Sequence, residues 1–293
     1  MISSSIRKWI WGAALGALLL PGSLAAQWTV SGPEEGSFIK LGFLAQGRAE
    51  WEDSADTHQT AQNLYLRRFR ILMGGQITPK LSFFFESDSP NLGKYDPNTG
   101  AKVAGDMFIQ DMFVTYTFAP EFMLDGGMLL IPVSHNSGQG ATTLLPVDYG
   151  PYSFVHNGVT DSRVGRDYGV QARGYLFDSH LEYRLGVFQG ARDLGEPDTD
   201  ADAPFRYMGR IVFHLADPET GFFYAGTYHG KKKIFSIGAS ADLQDTYKTY
   251  GADLFWDQPL KSGDVVTFQF NYLYFDGDET FAALPAQNDY LYE

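Results

Sequence analysis

Between Leu64 and Asp88 the chain reads LYLRRFRILMGGQITPKLSFFFESD, and its polarity alternates residue by residue. Phe69, Ile71 and Met73 share one face of an extended strand, with Arg68 and Arg70 on the other. Beyond a break, Leu81, Phe83 and Phe85 again share a face, opposite Ser82, Glu86 and Asp88. The segment Gly74-Gly75-Gln76-Ile77-Thr78-Pro79-Lys80 carries turn residues and is expected to connect the two strands. Arg67 falls on the face of Phe69 and Ile71, where only a bulge or a rim position accommodates it. A soluble sandwich also alternates, but it turns charge toward water and apolar groups toward a core. Here large aromatics dominate one face while Arg and Glu occupy the other. That pattern suits a closed sheet with lipid outside and a polar interior.

The pattern repeats. From Phe38 to Trp51, Ile39, Leu41, Phe43, Ala45 and Ala49 alternate with Lys40, Gln46, Arg48 and Glu50, over a length that crosses a bilayer when tilted. Further strands are expected at 62–74, 81–88, 107–118, 122–133, 166–177, 181–190, 206–215, 232–243, 247–257 and 264–275. No segment beyond the N-terminus sustains a helical period. Short links are expected at 75–80, 119–121, 178–180 and 258–263, and long Gly/Asp/Pro-rich loops at 52–61, 89–106, 134–165 and 191–205. Short turns at one end and long loops at the other are the outer-membrane arrangement, the short ones periplasmic. The rule bends at 216–231, which is long, and at 244–246, which is short. The expectation is an all-β, antiparallel transmembrane β-barrel of which eleven or twelve strands are present. The last strand runs outward without a terminal closing segment, so the barrel is expected to be incomplete at the C-terminus.

Residues 1–26 read as a signal peptide: Arg7 and Lys8, an apolar run from Trp9 to Leu20, and a cleavage site at Ser23-Leu24-Ala25 or Leu24-Ala25-Ala26, the first fitting the small-x-small rule better. The run is shorter than the roughly 20 residues of a membrane helix. This assigns 27–293 to the barrel. Mean hydropathy is −0.20, as expected when only alternate residues meet lipid. Aromatic content of 15% suits interfacial girdles. A formal net charge of −13 argues against nucleic acid as a partner. There is no cysteine, which removes disulfides, thiol catalysis and thiolate metal sites. The six histidines, His58, His135, His156, His180, His214 and His229, lack metal-ligand spacing, and no cofactor is expected.

Parity turns Arg48, Arg68, Arg70, Arg173, Arg184, Arg206 and Arg210 inward, because an arginine facing lipid at mid-depth costs about 2–4 kcal/mol. In a water-filled pore such guanidinium groups attract anions. Paired with the inward acids Glu86, Asp111, Glu182 and Asp253, they would instead brace the wall. Loop 134–165 is the longest and is expected to fold inward as a constriction, with Asp148, Tyr149 and Tyr152 packed against the wall. His135-Asn136-Ser137 has a spacing similar to the His/Ser pair of outer-membrane phospholipase barrels, with Asn157 as the candidate orienting group. An outer-membrane hydrolase and a non-conducting structural barrel are therefore the rival readings. Asp198, Asp200 and Asp202 begin like a calcium loop, but Ala203 stands where its glycine belongs and Gly209 where its glutamate belongs.

Taken in order, several segments resemble the phosphate-selective porin O and P family. They are Leu66-Arg67-Arg68-Phe69-Arg70 through Gly75-Gln76-Ile77 to Leu81-Ser82-Phe83; Met128 to Ser134; Arg166 to Gln171; Tyr183 to Gly190; and Gly209 to Phe213. The resemblance spans most of 36–276. It implies a bacterial outer-membrane porin, a sixteen-stranded homotrimer with an inward constriction loop, passing small anionic or hydrophilic solutes. Arginines and lysines line the pore in members that select phosphate.

Overall fold

The computed structural model describes residues 28–53, 60–96, 100–192, 203–277 and 288–292. The expected signal peptide lies outside these residues, as do His58, Asp198, Asp200 and Asp202.

Fifteen strands follow one another: β1 (Trp28–Ser31), β2 (Phe38–Asp53), β3 (Thr60–Thr78), β4 (Leu81–Asp88), β5 (Tyr95–Asp96), β6 (Ala101–Lys102), β7 (Phe108–Ala119) and β8 (Phe122–Leu130) come first. After a long loop come β9 (Arg166–Leu176), β10 (Leu181–Phe188), β11 (Arg206–His214), β12 (Ile234–Gln244), β13 (Tyr247–Pro259), β14 (Val265–Asp276) and β15 (Asn288–Tyr292). Thirteen of them form one sheet in chain order, each pair antiparallel, while β5 and β6 make a separate hairpin inside the β4–β7 connection. All eleven strands expected from alternation are present. The additions are the edge strands β1 and β15 and the small hairpin, each too short for a period of two to register.

The sheet curls into a barrel wall. Gln46 on β2 donates to the Ala141 carbonyl, and Gln269 on β14 accepts from Gln139. Ten strand spacings separate β2 from β14, which is about 48 Å in a flat sheet. A single loop touches both only if the sheet bends around it. Among the described residues β1 and β15 remain the two edges. Alternation continues through the wall: Met112, Val114, Tyr116 and Phe118 on β7 are exposed outward, while Phe113 and Thr115 are buried.

Two of the four register shifts in the sheet bear on the inward charged residues. Between β2 and β3, Gln46 opposes Arg68 while Gly47 opposes Leu66, leaving Arg67 as the extra residue. Arg67 and Arg68 therefore both face inward, which settles the position that parity alone left open. A second shift between β4 and β7 turns Gln110 and Asp111 inward together.

The Gly74–Thr78 stretch is strand rather than turn. Only Pro79 and Lys80 link β3 to β4. A Cβ on Gly75 would lie 2.1 Å from the Phe38 carbonyl oxygen, so this glycine serves the close approach of β2 and not chain reversal.

The core lies inside the wall. Phe113, Leu129, Ile131, Phe188 and Met208 form one buried cluster, with Phe84 and Phe222 packed on it. Val159, Ala191, Tyr247 and Phe275 form another. Phe222 and Val159 come from loops, so the interior is filled by connections folded into it.

Candidate functional site

The loop after β8 begins as a tight hydrogen-bonded coil. Gly138 donates to the carbonyls of Ser134 and His135, and Ser137 Oγ donates to the Ser134 carbonyl. Asn136 organises the next stretch: its Oδ1 accepts from the Gly150 amide and from Ser153 Oγ, and its Nδ2 donates to Gln139. A short 3-10 turn at Val155–Asn157 follows. Asn157 Oδ1 then accepts from Gly165 N and Ser162 Oγ, closing the base of the loop. Burial pushes the His156 ring down to about 3, with the nearby Arg206 charge adding to the effect, so it packs as a neutral group.

Asp148 is the point where this loop meets the wall. Its carboxylate accepts from Arg67 Nε at 2.6 Å and Arg68 Nη2 at 2.5 Å, with Arg48 Nη1 at 3.5 Å. Three guanidinium groups thus converge on one carboxylate, and Arg48 also pairs with Glu50 at 3.3 Å, which Lys94 shares at 2.6 Å. Burial alone would raise the Asp148 pKa, but the hydrogen bond from Arg67 and the charges of Arg68 and Arg67 outweigh it and hold it below the usual aspartate range. Arg68 is 3% exposed, whereas Arg67 is 23% and Arg48 31% exposed. Tyr149, next along, donates to the Gln139 carbonyl and lies under the Arg68 guanidinium. Tyr152 stays largely exposed.

The other inward arginines are matched by acids. Arg70 pairs with Glu86 and Asp88, Arg173 with Asp125, Arg184 with Glu182, and Arg210 with Asp253. Arg206 bridges Asp242 and Asp167. Arg166, which parity did not single out, pairs with Asp111. All six are nearly or fully buried. Buried pairs of this kind gain little net stability but are costly to break singly, because the surviving charge is stranded.

A second loop, 215–233, enters from the short-link end and meets the first inside the wall. Tyr224 N donates to Gly138 O, Gly140 N donates to Tyr224 O, and Gly226 N donates to Thr143 Oγ1. Arg184 reaches the Phe222 carbonyl and Arg210 the Tyr224 hydroxyl. Glu219 accepts from His135 Nε2 at 3.1 Å, from Tyr228 and from Ser236. Length alone marked this loop in the sequence, as the one long link where a short turn was expected. Its hydrogen-bond partners lie on the first loop and on β9 to β13, and no local pattern points to them.

His135 and Ser137 are not coupled, contrary to what their spacing allows. The ring nitrogens of His135 are engaged by Glu219 and Gln139. Its ring is stacked between Tyr224 and Phe255, with centroids 4.9 and 4.0 Å away. Ser137 is spent on the Ser134 backbone, and Asn157 on its own loop. The i, i+2 rule applies to strands, and this segment is a coil. Among the described residues no group of three His, Asp or Glu could hold a metal ion.

The profile of the family described as Phosphate-selective porin O and P matches residues 45–281. A solved structure of Salmonella typhi OmpF in complex with daunomycin is similar over 89% of this chain and 85% of that chain, at 13% identity and a TM-score of 0.44. No curated protein matches the chain.

Proposed function

Because the chain belongs to the phosphate-selective porin O and P family, and is thus an outer-membrane porin, we propose that it is a passive, anion-preferring diffusion channel whose selectivity arises at Arg48, Arg67 and Arg68. The observation that carries this reading is the imbalance at Asp148 and Glu50: Arg48, Arg67, Arg68 and Lys94 share these two carboxylates, while Arg70, Arg173, Arg184, Arg206 and Arg210 each have a carboxylate of their own. A compensated pair offers little field to a passing ion, so those five brace the wall. Arg48 and Arg67 keep part of their surface in the water and can exchange a chloride or phosphate oxygen for hydration.

Loop 134–165 sets the size limit in this reading, with Asp148 and Tyr149 holding it on the wall and Tyr152 at its free side. The resident Asp148 carboxylate also repels a second negative charge, which favours monovalent over divalent anions. Homotrimeric assembly is carried over from the family as part of the proposal.

The test is titration of chloride current with phosphate in planar bilayers. Phosphate, added at about pH 5 where it is the monoanion, is expected to reduce the current of the native channel and to lose most of that effect in Arg67→Met. Equal inhibition in both would remove Arg67 from the site.

A further inference from the structure

Between two anchors the constriction loop leaves the wall. Thr143 is held by Gly226 of the second loop, and Asp148 by the three arginines. The four residues between are Leu144, Leu145, Pro146 and Val147, all apolar. Leu145 is 45% and Val147 76% exposed. Upstream, Ala141 is tied to Gln46, which shares the inward face of β2 with Arg48. Residues 46 and 48 are only about 7 Å apart along that strand. A chain tied at 141 and 148 to points so close must arch away from them, into the space the arginines face. Two large apolar side chains therefore stand in water beside a cationic cluster. Apolar surface with a few convergent polar groups is the composition of a ligand site.

We infer that Leu145 and Val147 form an apolar rail opposite Arg48 and Arg67, and that the favoured solutes are small monocarboxylates with an apolar body. The inference rests on the anion-preferring reading above and adds the chemistry of the solute. Asp148 supplies the second observation: a carboxylate already sits on these arginines, with the apolar Val147 side chain adjoining it in sequence. The loop thus presents at one end the same pairing of charge and hydrocarbon that the solute would bring. Arg48 and Arg67 take the carboxylate, and the rail takes the hydrocarbon as it sheds water. A divalent anion without hydrocarbon gains nothing from the rail and is opposed by Asp148.

The experiment measures block of chloride current in planar bilayers by acetate, butyrate and hexanoate as potassium salts. The half-blocking concentration is expected to fall by about two-fold per methylene, half of what full burial would give. Val147→Ser and Leu145→Ser, both at exposed positions, are expected to flatten that slope, whereas Arg67→Met weakens all three acids together. A slope near zero in the native channel, or one that survives both serine variants, would overturn the rail while leaving anion preference standing. A native channel that prefers potassium over chloride would overturn the underlying reading as well, and the reversal potential distinguishes the two failures.

Discussion

Arg67 and Arg70 lie three residues apart on one strand and do different work. Arg70 is buried against Glu86 and Asp88, so Arg70→Met strands two carboxylates. Loss of one partner of such a cluster costs about 3–5 kcal/mol. Arg70→Met is expected to lower the heat-modification midpoint on gels and to leave ion preference as in the native channel. Arg67→Met removes a part-exposed cation from a cluster that keeps two others, so its effect is expected in ion preference. A reversed result would exchange their roles. Asp148 adds a pH dependence. Its folded pKa is below its unfolded one, so it favours loop docking at every pH above the ordinary aspartate range. That contribution is lost as pH falls through the folded value. Open-channel current is therefore expected to stay quiet from pH 7 to 5 and to flicker only below about pH 4. Onset near pH 6 would show that the titrating group is not Asp148.

At the scale of elements, the interior is filled by two loops entering from opposite ends and joined by backbone hydrogen bonds and by His135–Glu219. His135→Ala removes one of three groups that hydrogen-bond the buried Glu219 carboxylate, worth about 1.5–3 kcal/mol, and opens a void between Tyr224 and Phe255. The expected outcome is protease cleavage within 215–233 of the otherwise folded protein, together with noisier channels. Unchanged resistance would show that the backbone pairing suffices. The strands were legible because lipid on one face and polar filling on the other force a period of two. Bulges were not, since the placement of Arg67 depends on its register with Gln46 and Gly47, which lie on another strand. Glycines 74 and 75 misled for a related reason: a glycine needed for close strand approach looks the same in sequence as one needed for a turn. Pairing of the inward arginines with Glu86, Asp111, Glu182 and Asp253 was legible as an alternative. Which arginine meets which acid was not, because Arg210 and Asp253 are 43 residues apart and meet only once β11, β12 and β13 are laid side by side.

For the whole molecule, an acidic chain and the proposed anion preference are compatible, because selectivity follows local charge at the narrowest point. The inward acids are largely cancelled by arginines, so the overall balance is a poor guide to the pore. What alternation revealed was the wall and its two faces; what it left hidden was the filling, which comes from loops folded inside the wall. The most direct test is the reversal potential of the native channel across a KCl gradient in a planar bilayer. The arginine cluster predicts a potential on the chloride side of zero, moving toward zero in Arg67→Met. A native potential on the potassium side would contradict the account.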